Sequence, residues 1–220
     1  MTHGDDDGLV LPPAIAPVHI ALLPMLHRPE SKEAILKFSQ DIAKTLRGAS
    51  FSGREVEVEI DTRDERGGIK LWSWIRKGVP LWIEIGPREL ESGQLKIGRR
   101  DRLQEPSTAV SREHIQQRVV EALKELNQVL YHRAAAFSKS HVHEITTEQQ
   151  LRDLFGAPNQ KTVPGFALCH WCGDPEIEKR IGEELKLTVR CLPFAEKGQV
   201  GRCIFSGKES LQRVLIARAY

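Results

Sequence analysis

The sequence predicts an α/β protein: a three-layer unit of strands and helices, then a smaller α+β domain. Two observations carry this reading. Up to about residue 130, apolar or strictly alternating runs of strand length take turns with segments whose apolar residues recur every three or four positions. That is the pattern of strand–helix–strand units. Beyond that point, shorter helical and extended segments follow one another closely, with no internal repeat and no low-complexity tract.

Residues 1–17 form an opening tail that ends in Leu11-Pro12-Pro13-Ala14-Ile15-Ala16-Pro17, a connector that its prolines hold extended. Val18–Leu23 reads as a mostly apolar strand that Pro24 closes. Ser31 is expected to cap a helix in which Ile35, Phe38, Ile42 and Leu46 share a face and which Gly48 stops. Glu55–Ile60 alternates charged and apolar residues, as a half-exposed strand does. The polar turn Asp61–Gly68 leads into a short helix reaching Lys77. Leu81–Ile85 is a further strand, closed by Gly86-Pro87, and Gln94–Ile97 is a fourth. From about Arg112 a long amphipathic helix carries Ile115, Val119, Leu123, Leu126 and Leu130. With right-handed crossovers, these elements set a first domain at 18–130. Residues 131–220 hold expected helices near Thr147–Phe155 and Asp174–Leu185. Strands are expected there near Gly165–Leu168, Leu187–Arg190 and Arg213–Ala219.

Composition narrows the function classes. The 220 residues are 40% hydrophobic and 28% charged, ordinary for a soluble globular protein. No run of about 18 apolar residues occurs, so no membrane span is expected. The opening is acidic at Asp5-Asp6-Asp7, where a leader peptide would be basic, which predicts a cytoplasmic protein. A net charge of +2 supplies little bulk attraction for nucleic acid, so such binding needs a local basic patch. Cys169, Cys172, Cys191 and Cys203 all lie in the last quarter, a clustering that points to metal or packing before disulfides.

Three stretches, the opening Met1–Pro13, the segments within Asp61–Leu90 and those from Trp171 to Tyr220, together resemble the archaeal and eukaryotic-like class of prolyl-tRNA synthetases. The opening Met1–Pro13 is similar to the end of the family's third catalytic motif and the linker after it. Asp61-Thr62-Arg63-Asp64, Gly78-Val79-Pro80 and Glu84–Leu90 are similar to its anticodon-binding domain. Trp171-Cys172-Gly173, Arg190–Phe194 and the terminal Ala217-Arg218-Ala219-Tyr220 match its last domain. The resemblance implies a class II anticodon-binding domain, a mixed sheet with helices on both faces, followed by a small α+β domain. It implies tRNA as partner, with proline tRNA the expected one, and no catalytic residue in this chain. The family's ATP-holding arginine has no match here, and its first two motifs would lie upstream. ATP and magnesium would therefore belong to a class II catalytic domain elsewhere, whose ATP-dependent joining of proline to tRNA is the parent reaction.

The same resemblance assigns Lys70, Arg88 and Glu89 to the anticodon. Position suggests that Arg63, Lys77 and Trp82 act with them, the cations on phosphates or bases and Glu89 on a base amino group. Two departures stand out. The family's Trp-Glu-Leu-Lys-Gly reads Trp74-Ile75-Arg76-Lys77-Gly78, and its Pro-x-Arg reads Pro80-Leu81-Trp82. A carboxylate and an arginine suited to guanine are thereby replaced, which predicts weakened guanine reading. Trp72, Trp74 and Trp82 offer sequence-tolerant stacking instead, with Trp82 expected partly exposed and Trp74 mostly in the core. Of the family's four zinc-ligand positions, Cys172 and Cys203 match, but their partner positions hold Ile177 and Ser206. Two thiolates do not complete a tetrahedral site, so a degenerate, metal-free site is expected. Cys169, His170 and His141 or His143 are the residues that would complete a different shell. Tyr220, which folds back toward the catalytic domain in relatives, is expected to lack its partner. The alternative reading is a non-enzymatic interaction module on the same fold.

Overall fold

The computed structural model describes residues 3–156 and 164–218. The expectations for Tyr220, and for a last strand reaching Ala219, fall outside the described residues. The chain divides into two compact units, Met1–Ala134 and Ala135–Tyr220.

In the first unit a five-stranded mixed sheet has the order β2-β1-β3-β4-β5. The strands are β1 (Ile20–Pro24), β2 (Val58–Ile60), β3 (Leu81–Ile85), β4 (Gln94–Arg99) and β5 (Thr108–Ser111). β1 lies parallel to β2 and β3, while β4 and β5 are added antiparallel. Helix α1 (Pro29–Arg47) connects β1 to β2, and α2 (Gly67–Lys77) connects β2 to β3. β2 and β3 flank β1 on opposite sides, so two right-handed crossovers place α1 and α2 on opposite faces of the sheet.

The burial pattern agrees with that. On one face Ile20, Leu22, Ile83 and Leu95 pack against Ile35, Phe38, Ile42 and Leu46 of α1 and against α4 (Ile115–Ser140). On the other, Ala21, Leu23 and Trp82 meet Ile75 of α2 and Val79. β1 is buried on both faces, which is why it reads as an unbroken apolar run. All five apolar positions expected on the long helix are buried.

Local details differ from expectation for identifiable reasons. Arg28, not Ser31, is the N-cap of α1, because Pro29 at the first helical position has its φ preset and no N–H to lose. Ser31 sits inside the first turn, its hydroxyl 3.4 Å from the Arg28 carbonyl. Glu55–Ile60 keeps its alternation, Val56 and Val58 buried between exposed glutamates, but only Val58–Ile60 joins the sheet. Arg54-Glu55 instead pairs with Ser50-Phe51 in a short hairpin. Gly86-Pro87 does more than close β3. Pro87 opens a six-residue helix, α3 (Pro87–Ser92), and Glu89 Oε2 accepts from the Gly86 N–H at 3.0 Å. β5 was not visible in sequence because Thr108–Ser111 is only four residues long and half of them are polar.

The second unit is α+β. Its sheet has the order β6-β7-β10-β8, from β6 (Val142–Glu144), β7 (Phe166–His170), β8 (Leu187–Cys191) and β10 (Glu209–Arg218). A further strand, β9 (Lys197–Arg202), also pairs with β10. Helices α5 (Glu148–Gly156) and α6 (Pro175–Leu185) complete a separate core with Leu151, Phe155, Ala167, Ile181, Val214 and Ile216. Asp174 caps α6 by accepting from the Glu176 N–H at 3.1 Å. No helix among the described residues is long and apolar enough to cross a membrane.

Candidate nucleic-acid interface

Parallel strands β1, β2 and β3 end at one edge of the sheet, and the loops that follow them gather there. Two backbone bonds tie the edge together: Met25 N–H to the Ile85 carbonyl at 2.8 Å and Asp61 N–H to the Leu22 carbonyl at 2.9 Å. Gly67 opens α2 at this edge, with the flexible end of the Met25 side chain packed against it. Asp61 is the organising residue. Its buried carboxylate accepts from Arg63 Nε at 2.9 Å, Arg63 Nη2 at 2.6 Å and the Trp74 indole N–H at 2.9 Å. These bonds, the Arg63 pair first, bring its pKa down to about 2 against the opposing effect of burial.

Lys70 occupies the centre of this network, not the surface. It is 1% exposed, and its ammonium donates to the carbonyls of Pro24 and Asp61, both at 3.1 Å. Burial lowers its pKa, with Asp61 acting in the other direction. Lys70 therefore staples the ends of β1 and β2, which corrects the expectation of a phosphate or base contact. Trp82 is likewise not partly exposed. It is 8% exposed and lies across Gly98, its cross-strand partner, where an added Cβ would come within 2.1 Å of the indole. Trp74 is less buried than expected, because its indole N–H reaches Asp61 while Lys77 stacks 4.6 Å above its ring.

The other sequence-predicted residues stay accessible. Arg63 is exposed but shared between Asp61 and Glu65. Arg88, at the start of α3, is exposed and makes no ion pair among the described residues. Glu89 is half-buried, with one carboxylate oxygen engaged by the Gly86 cap. Sequence reasoning missed Glu84, which projects from β3 beside this edge. Partial desolvation, then Glu89, raise its pKa, while Lys96 lowers it. Its signal was a lone carboxylate in an otherwise apolar strand. An exposed carboxylate on β3 and an exposed arginine at the start of α3 suit recognition of base donors and acceptors.

Ile75 is buried with Trp82, Ala21, Leu23 and Val79. The positions expected to read guanine are thus interior ones in this chain, held in a packed apolar cluster.

In the second unit Cys172 Sγ lies 3.4 Å from Ser206 Oγ, which brings together two of the positions where the resemblance led ligands to be expected. Burial pushes the Cys169 thiol up to about 12. Burial also raises that of Cys203, but hydrogen bonds from the Ser206 hydroxyl and from the backbone of Phe205, Ser206 and Cys172 outweigh it and hold the thiol below its ordinary value. Among the described residues no group of three or more His, Cys, Asp or Glu side chains is arranged to hold a metal ion.

Comparison with known proteins agrees with both units. The family model described as anticodon binding domain matches residues 14–126. The model for the C-terminal part of prolyl-tRNA synthetase matches residues 159–220. The chain is 39% identical to Proline--tRNA ligase 2 of Anaeromyxobacter dehalogenans, 38% to Proline--tRNA ligase of Roseiflexus castenholzii and 36% to that of Protochlamydia amoebophila. Each match takes in 100% of this chain and 44% of the relative, so the chain spans less than half the length of these relatives.

Proposed function

The chain belongs to the anticodon-binding domain family, and on that premise we propose that it is the tRNA-binding carboxy-terminal portion of a prolyl-tRNA ligase, with proline tRNA as its partner. The observation that carries the proposal is the carboxyl edge of the first sheet, where the Asp61–Arg63 pair follows β2 and an exposed Arg88, in no ion pair among the described residues, follows β3. Arg63, Lys77, Arg88 and Glu89 form the tRNA contact in this reading, while Lys70 and Trp82 support it from within. The ATP-dependent joining of proline to tRNA, with its ATP and magnesium, is assigned to the length of the relatives that this chain does not match. A class II catalytic domain, in the same chain or a separate one, is the second partner. The branch proposed is the archaeal and eukaryotic-like class, on the strength of Asp61–Asp64, Gly78-Val79-Pro80 and Glu84–Leu90. The second unit is proposed to fold without zinc, and the protein to work in the cytoplasm.

Fluorescence anisotropy with a labelled proline tRNA transcript tests this. The chain should bind it, with affinity falling steeply as salt rises, because neutralised phosphates release counterions. Arg88→Gln should cost roughly 1–3 kcal/mol if the guanidinium meets a base edge, and should narrow the preference over a transcript with altered second and third anticodon bases. Failure to bind the proline transcript at low salt would remove the proposal and leave the interaction-module reading.

A further inference from the structure

We propose that the outward face of α2 is a stacking platform for unpaired RNA, with Trp72 as the platform and Arg66 and Arg76 holding the flanking phosphates. The inference rests on the tRNA-binding reading and deepens it. Arg66, Gly68, Ile69, Trp72, Ser73 and Arg76 line one shallow groove, and none of them is acidic. Trp72 is 49% exposed and Ile69 56% exposed, a large apolar area to leave in water on an eleven-residue helix.

The three tryptophans of this unit differ in what occupies their faces. Trp74 is covered by Lys77 and bonded to Asp61, and Trp82 lies on Gly98. Trp72 has neither an aromatic nor a cationic partner among the described residues. Arg66 and Arg76 likewise enter no ion pair among the described residues, unlike Arg63 and Arg99, which do.

Arg66, Ile69, Ser73 and Arg76 fall at spacings of three, four and three residues, so they share one stripe, with the guanidinium-bearing residues about 15 Å apart along the axis. A free indole face between two unpaired cations, with no carboxylate in the groove, complements a polyanion that presents flat bases. A duplex hides its base faces, so the complement is a single-stranded loop. The groove begins at Arg66, three residues from Arg63, and so continues the carboxyl edge already described.

The test uses the full chain and three labelled probes: the proline tRNA transcript, the same transcript with its second and third anticodon bases changed, and an unstructured mixed RNA of about 12 nucleotides. Trp72→Ala should weaken all three by roughly 5- to 150-fold, because stacking tolerates sequence, and Trp72→Phe should recover most of the loss. Arg66→Gln with Arg76→Gln should reduce the steepness of log K against log salt by about 1.4 to 1.8. Both sites are exposed, so thermal melting should be unchanged. If the wild-type chain binds the proline transcript and these variants bind it equally well, the platform is wrong and the tRNA reading stands. If neither transcript binds but the short RNA does, through Trp72, the tRNA reading falls and the platform stands. Binding of none of the three overturns both.

Discussion

Asp61 holds three partners at once, the Arg63 fork, the Trp74 indole and, through its carbonyl, the Lys70 ammonium. Its carboxyl titrates at about 2 in the folded chain against an ordinary 3.8. A depressed carboxylate contributes stability above the unfolded value, and that contribution is lost as pH falls through the folded one. The window is therefore about pH 4 down to about pH 2. Its size is at most about 2.5 kcal/mol, and less because Arg63 is half in water. Denaturant titrations at pH 2.5 to 5 should show Asp61→Asn less stable than wild type at the upper end and the two converging at the lower end. Curves that stay parallel would remove Asp61 as the titrating group. Lys70 makes a separate prediction. Lys70→Met strands two buried carbonyls, so unfolding free energy should fall by about 2–4 kcal/mol. The salt dependence of RNA binding by the remaining folded protein should not change, since Lys70 meets no phosphate.

Elements were legible where pattern and burial coincide. The helix over Ile115, Val119, Leu123, Leu126 and Leu130 was readable because a single face meets the core, and the doubly buried β1 because it is apolar throughout. β5, β6 and β9 were not, because edge or partly exposed strands carry polar residues that read as loop. In the candidate site, residue types were legible but depth was not. Lys70 looked like a surface cation, and only the crossing of α2 over the strand ends buries it. Arg66 and Arg76 carried no pattern of their own and became visible through what surrounds them, whereas Glu84 showed only as a lone carboxylate in an apolar strand. The β3–β4 pair with α2 offers a test of the interior reading of Ile75 and Trp82. Ile75→Glu and Trp82→Arg, taken singly, should each destabilise by roughly 3–5 kcal/mol, since each buries an unpaired charge. Together they should cost less than the sum by about 1–3 kcal/mol if carboxylate and guanidinium meet inside. Strict additivity in denaturant melts would show that the two side chains do not touch. A gain in anticodon discrimination by the double variant would return these positions to the RNA surface.

Across the whole molecule, each unit closes a hydrophobic core of its own, and this decides what the second one needs in order to fold. Small domains that depend on a structural metal do so because they lack enough apolar surface to bury. Here Leu151, Phe155, Ala167, Cys169, Ile181, Leu187, Val214 and Ile216 supply a contiguous core across two helices and the central strands. Cys169 belongs to that core as a small buried side chain, where burial pushes its thiol up to about 12. Cys172 and Ser206 hydrogen-bond to each other, which joins the two chain segments that a shared metal would otherwise clamp. The expected outcome is that 1,10-phenanthroline leaves the melting temperature unchanged and that elemental analysis finds well under one zinc per chain. Cys172→Ser should then be nearly neutral, because a hydroxyl keeps the bond to Ser206. One tightly held zinc, with cooperative unfolding on chelation and a large loss in Cys172→Ser, would instead mean that Cys203 and His170 complete a shell. It would also mean that the second unit owes its stability to coordination more than to burial.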